Sequence, residues 1–192
     1  SAKQKLKSNK VKTILQSVKN QGDKAVIKYE KKFSKIKLSP KNIKFSKNEI
    51  KMISKKIDKN LKNSIDIAFK RIKQFHSKQK FSSFRYKDKY KNELSYKFTP
   101  IEKVGVYVPG GTASYPSTVL MNCIPAMVAG VKNIYLTTPA LSSNVNPGII
   151  YAAKKCGVNE IYKTGGAHSI AALTYGTQTF KKVDKIVGPG NT

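Results

Sequence analysis

Apolar residues recur at helical spacing through the first eighty residues of the chain. Val11, Ile14, Leu15 and Val18 fall three or four apart and predict one apolar helix face, with Gly22 placed to close that helix. Asp23 is expected to cap a second helix, whose inward face would include Val26, Ile27 and Tyr29. Ser39-Pro40 reads as a turn. Ser46 followed by Glu49 is a capping-box pair that opens a third helix with Ile50, Ile53 and Ile57 turned inward. Leu61, Ile65, Ala68, Phe69 and Ile72, with Phe75 at the end, mark a fourth. Residues 81–98 are rich in Phe and Tyr and alternate in part, as at Leu94, Tyr96 and Phe98, which predicts strand.

The pattern changes near Ile101. Short apolar runs at Val104–Val108, Ile134–Leu136, Glu160–Tyr162 and Val183–Val187 alternate with helical segments at 116–130, 147–156 and 166–175. Asn146-Pro147 supplies an N-cap followed by proline at the first helical position. This rhythm predicts βαβ units on a parallel sheet. The strands lack strong alternation because helices should cover both of their faces. The expected fold class is therefore α/β. Residues 1–103 form a mainly helical N-terminal part of the first domain, and residues 104–192 form a Rossmann-like sheet domain that is incomplete at its C-terminal side.

Each predicted strand runs into a loop of small or turn-forming residues: Pro109-Gly110-Gly111-Thr112, Thr137-Thr138-Pro139, Thr164-Gly165-Gly166-Ala167 and Gly188-Pro189-Gly190-Asn191. In a parallel sheet these loops share one edge, the edge at which open α/β sheets bind ligands. Glycine allows backbone N–H groups to approach a phosphate, and the following helix N-terminus adds partial positive charge. The plainer alternative is four ordinary strand-to-helix turns. Neither a complete Gly-x-Gly-x-x-Gly nor a Gly-x-x-x-x-Gly-Lys-Ser/Thr loop is present, so motif mechanics alone do not establish dinucleotide binding.

Composition sharpens this picture in two ways. A hydrophobic content of 39% permits a packed core, and no apolar run approaches the length of a membrane span, so no membrane partner is expected. The net charge of +28 invites a nucleic-acid reading. Residues 1–100 hold 30 Lys+Arg against 7 Asp+Glu, however, and Arg71 and Arg85 are the only arginines. Readers of bases and phosphates favour the bidentate arginine fork. A solvated lysine surface is thus expected ahead of a nucleic-acid-binding module in residues 1–100. An assembly role for the helical half against a second subunit is a further alternative.

Candidate chemistry is sparse. Cys123 and Cys156 belong to no Cys-x-x-Cys pair, which fits a reducing compartment and buried thiols. His76 reads as a surface or half-buried residue. His168, beside Gly165-Gly166, can either bond a ligand or serve structure, and Tyr107 can either join the core or lie against a ligand. Asp184 and Glu160 are isolated carboxylates expected to pair locally. No His/Cys/Asp cluster has metal-ligand spacing.

The run Val104-Gly105-Val106-Tyr107-Val108-Pro109-Gly110-Gly111-Thr112-Ala113, followed by Tyr115-Pro116-Ser117-Thr118-Val119-Leu120-Met121-Asn122, closely resembles the signature region of the histidinol dehydrogenase family. The likeness continues through Gly165-Gly166-Ala167, Ile170-Ala171-Ala172-Leu173 and Val183-Asp184-Lys185-Ile186-Val187-Gly188-Pro189-Gly190-Asn191. The first half matches in outline, at Gly22-Asp23-Lys24-Ala25 and Tyr29. The resemblance implies an aldehyde-dehydrogenase-like architecture and a cytoplasmic, zinc-containing homodimer. It also implies NAD-dependent oxidation of L-histidinol to L-histidine by way of the aldehyde. A relative acting on another small polar alcohol, such as a sulfonated diol, is the alternative within the superfamily. By resemblance, Tyr107 and Asn191 contact NAD. His168 stands where the family has a glutamine that also contacts NAD. The catalytic Glu-His pair and the zinc ligands are expected beyond Thr192, in keeping with a fragment that turns over no substrate by itself.

Overall fold

A computed structural model of the chain describes residues 2–110, 115–140 and 145–190. Four helices come first: α1 (Ala2–Gln21), α2 (Asp23–Ser34), α3 (Lys47–Lys55) and α4 (Lys59–Ser77). An antiparallel hairpin follows, β1 (Phe84–Lys87) and β2 (Glu93–Tyr96). The second half alternates β3 (Lys103–Tyr107), α5 (Pro116–Ala129), β4 (Asn133–Thr137), α6 (Pro147–Lys155), β5 (Glu160–Tyr162), α7 (Gly166–Tyr175) and β6 (Lys185–Val187). The last four strands form one parallel sheet in the order β5-β4-β3-β6, with Val104 beside Ile134, Val106 beside Val187, and Leu136 beside Ile161. The fold is α/β, as the pattern predicts.

The helical first half is divided between the two faces of this sheet. On one face α5 and α6 pack with α3 and α4. There Val119, Leu120, Ile124 and Ile150 meet Ile65, with Ile53, Leu61 and Phe69 closing around them. On the other face α7 packs with α1 and α2, joining Val18, Val26 and Tyr29 to Ala171, Ala172 and Leu173. The segment between α2 and α3 crosses at the β5 edge: Phe45 N donates to Ile161 O at 2.9 Å, and Lys163 N to Ile43 O at 2.8 Å. These bonds occupy backbone groups that an open edge strand would leave unpaired. Both strand faces are thus dry, which is why Val104, Val106, Ile134 and Leu136 carry no polar alternation.

The capping box at Ser46 forms as predicted, Ser46 Oγ accepting from Glu49 N at 3.2 Å and Glu49 Oε2 accepting from Ser46 N at 2.7 Å. Asn146 likewise caps α6, taking the Gly148 N–H at 2.7 Å. Asp23 departs from expectation. It is the first residue of α2, and its side chain caps nothing. Gln178 Oε1 takes the Asp23 N–H at 3.0 Å, and the buried Asp23 carboxylate accepts from Thr177 Oγ1, Thr179 N and Thr179 Oγ1. A helix start is in this way tied to the loop that leads into β6. The hairpin alternates, with Phe84, Tyr86, Leu94 and Tyr96 on one face, but all four are exposed. Phe75 is exposed with them. Cys123 and Cys156 are buried free thiols, and the Cys156 contact and burial hold the Cys123 thiol well above its ordinary range.

Asp66 links α4 to α6, accepting from Tyr151 OH at 2.8 Å and pairing with Lys155 Nζ at 2.7 Å. The Lys155 hydrogen bond outweighs desolvation and, with Tyr151, holds the Asp66 carboxyl below its ordinary value. The resulting stabilisation is complete above the ordinary aspartate range and is lost as pH falls through the lowered value. Urea melts should therefore separate wild type from Asp66→Asn by up to about 1 kcal/mol at neutral pH and bring them together in acid. Asp23→Ala removes the acceptor of two half-buried threonine hydroxyls, and should cost about 1–3 kcal/mol in the same melts.

Candidate functional site

The chain steps from β3 outward to β4 and β5, then returns through α7 to place β6 on the opposite side of β3. Strand order reverses between β3 and β6, and the carboxyl ends at such a switch point form the crevice where open α/β sheets take ligands. Tyr107, the last residue of β3, stands there half-buried. Gly188, with φ +137°, comes so close that a Cβ would lie 2.2 Å from Tyr107 O. Only glycine allows this contact, which seats the loop after β6 against the end of β3. On the other side Pro139, after β4, is held between Gly110 and Gly165, where added Cβ atoms would approach it to 3.0 and 2.2 Å. Thr137 Oγ1 donates to Thr164 O at 2.6 Å and ties the ends of β4 and β5. The four loops after the strands therefore meet on one rim.

The helix N-terminus that opens on this rim is that of α7. Its N-cap, Gly165, has no side chain to satisfy the first-turn N–H groups. Gly166 is exposed, and its N–H donates to Tyr107 OH at 3.4 Å. The arrangement presents backbone donors, the helix partial charge and a phenol at one point, a combination suited to an anion.

His168 is buried at the start of α7. Its ring is 2% exposed and turned into the α2–α7 interface. Nε2 lies 2.6 Å from Glu30 Oε2, and the ring is flanked by Tyr29 and Phe33 with centroids 6.1 Å away. A buried carboxyl group from the helical half engages the imidazole, the structural one of the two roles open to it. Glu30 itself escaped the sequence reading, although the signal was there: it follows Val26 by four residues and so lies on the buried stripe of α2. Tyr107 and the Gly165-Gly166 turn are brought together. Asn191, Gly111 and Thr112 lie outside the described residues. His76 is on α4, half-buried, with Nδ1 2.6 Å from Gln79 Oε1. It borders an apolar groove of about 970 Å³ that also includes Phe81, Phe98, Pro100 and the last turn of α5, at the amino edge of the sheet and away from the rim. Among the described residues no group of three or more His, Cys, Asp and Glu could hold a metal, and no helix is long and apolar enough to cross a membrane. Glu160 accepts locally from Tyr162 OH at 2.7 Å, as expected, but it also pairs with the distant Lys44 at 3.0 Å. Asp184 Oδ2 accepts from the distant Lys103 N at 2.9 Å, so Asp184 departs from the expected local pairing because neighbouring strands bring these segments together.

A parallel sheet with a glycine-walled crevice at its switch point, faced by an uncapped helix N-terminus, defines an α/β protein of the ligand-binding open-sheet class. The family model for histidinol dehydrogenase matches residues 1–192, and the chain belongs to that family. The histidinol dehydrogenase of Pelagibacter ubique is 50% identical over 190 residues, covering 99% of this chain and 44% of that protein. The Listeria innocua histidinol dehydrogenase is 46% identical over 184 residues, covering 96% of this chain and 43% of its own length. The crystal structure of histidinol dehydrogenase from Elizabethkingia anophelis superposes with a TM-score of 0.90 at 42% identity, covering 96% of this chain and 42% of that one. The chain thus spans less than half the length of these relatives. The family match includes the lysine-rich helices, whose apolar faces are built into the sheet cores. This overturns their reading as a separate nucleic-acid module.

The close approach at Gly188 is open to test. Gly188→Ala meets both a left-handed φ and a backbone clash, and should cost more than about 2 kcal/mol in urea unfolding. Gly157→Ala, with φ +69° and nothing within 4 Å, carries the dihedral cost alone. That cost is about 1 kcal/mol.

Proposed function

We propose that this chain is the NAD-binding part of an L-histidinol dehydrogenase, which oxidises L-histidinol through the aldehyde to L-histidine at the end of histidine biosynthesis. The observation that carries the reading is the meeting of the Tyr107 hydroxyl with the Gly166 N–H at the mouth of α7. What supports a dinucleotide is that the glycines let the loops of the rim close on Tyr107 and Pro139, and that α7 has no N-cap side-chain hydrogen bond. When bound, NAD supplies the hydride acceptor. The chain holds and orients it. The N–H groups of Gly166, Ala167 and His168 face its phosphates, and Tyr107 borders it. Asn191, by the family resemblance, is a further contact of the cofactor. His168 thereby contributes through its backbone rather than its ring. Among the described residues nothing fits the zinc of the family, so no step is assigned through it.

L-Histidinol is the substrate of the complete enzyme, and this chain spans less than half the length of the related dehydrogenases. The enzyme acts as a homodimer, for which the uncovered aromatic face of the hairpin offers apolar area. It works in the cytoplasm, where buried thiols such as Cys123 and Cys156 stay reduced.

Calorimetric titration of the 192-residue chain with NAD should register binding, and Tyr107→Ala should weaken it about tenfold. The same chain, given NAD and L-histidinol, should form no NADH by absorbance. Absence of NAD binding at millimolar concentration, or an unchanged affinity in Tyr107→Ala, would sink the proposal.

A further inference from the structure

Glu30 is the most deeply buried charged side chain among the described residues, at 0% exposure, and it comes from α2, far in sequence from the rim. Its Oε2 accepts the Gly165 N–H at 3.3 Å on one side and lies 2.6 Å from His168 Nε2 on the other. The remaining polar atoms of the pair, Glu30 Oε1 and His168 Nδ1, are buried with no hydrogen-bond partner. As a device for stability alone this is a poor choice. A partly satisfied buried polar pair is at best equal to apolar side chains of the same bulk. What the pair does achieve is geometric. It grips the turn before α7 at Gly165 N and at the ring of His168. The Nδ1–Cε1 edge of that ring packs beneath Gly166, 3.5 Å from where a Cβ would stand. Gly166, at a positive φ of 65°, follows that gripped peptide and donates its N–H to Tyr107 OH.

We propose that Glu30 is a positioning residue of the rim, which through Gly165 and His168 holds the Gly165-Gly166 turn in the conformation that presents the α7 donors. The assignment rests on the NAD reading above for its purpose, and on the hydrogen bonds for its mechanism. Glu30 touches no ligand. It couples the helical half of the chain to the cofactor crevice.

The double variant Glu30→Leu/His168→Phe replaces both groups by apolar ones of similar bulk. Amide hydrogen exchange at Gly165 and Gly166, read by NMR without ligand, should accelerate about tenfold while the unfolding midpoint is held or raised, and the NAD Kd should rise by a similar factor. Glu30→Gln, which keeps an acceptor for Gly165, should leave exchange at both glycines within about threefold of wild type. Unchanged exchange in the double variant would falsify the proposal. So would faster exchange in Glu30→Gln equal to that of the double variant, or global unfolding of the double variant, which would make the pair an ordinary core element. If wild type shows no affinity for NAD, the cofactor reading fails by itself and the exchange measurements still decide the role of Glu30.

Discussion

A parallel sheet buried on both faces needs more helix than its own crossovers supply. Here α5 and α6 serve one face and the ten-residue α7 alone serves the other. The sheet is completed only because α3 and α4 join the first group and α1 and α2 the second. Burial of Val18, Val26 and Tyr29 against Ala171, Ala172 and Leu173 is thus the condition on which the position of α7, and with it the crevice at the switch point, depends. The segment 43–45 along β5 and the Asp23 bonds to residues 177–179 are the polar counterparts of that condition.

The rim is built by exclusion of side-chain volume. Gly188 against the Tyr107 backbone, and Gly110 and Gly165 around Pro139, bring four loops closer than any Cβ would allow. Backbone donors brought together in this way can be aimed without the entropy cost of ordering long side chains. The phenol of Tyr107 stands at the mouth of α7, where it already receives a backbone N–H.

The large positive charge takes little part in this architecture. Lysines that form close pairs do so at margins between elements, as Lys163 with Glu49 at 2.5 Å and Lys155 with Asp66 at 2.7 Å. Most of the charge is a solvated coat over helices whose other faces are core. The loudest compositional feature of the chain therefore says less about its function than three short glycine turns and the Pro139 turn between them.

Local pattern alone was enough for the elements, for the capping box at Ser46, for the parallel α/β class and for the family likeness, because each depends on residues within a few positions of one another. The strand edges shifted by one or two residues, as at β6, where Asp184 is engaged with Lys103 instead. The partners of Asp23, Glu30 and His168 were decided only by tertiary structure. Asp23 looks like a helix cap until residues 154 to 156 positions away reach it, and His168 is open to a ligand or a structural role until Glu30, 138 positions away, meets its ring. Short-range spacing determines which face of a helix or strand a residue occupies. Which group meets that face depends on how distant segments pack, and a polar side chain carries no record of its partner in its own neighbourhood.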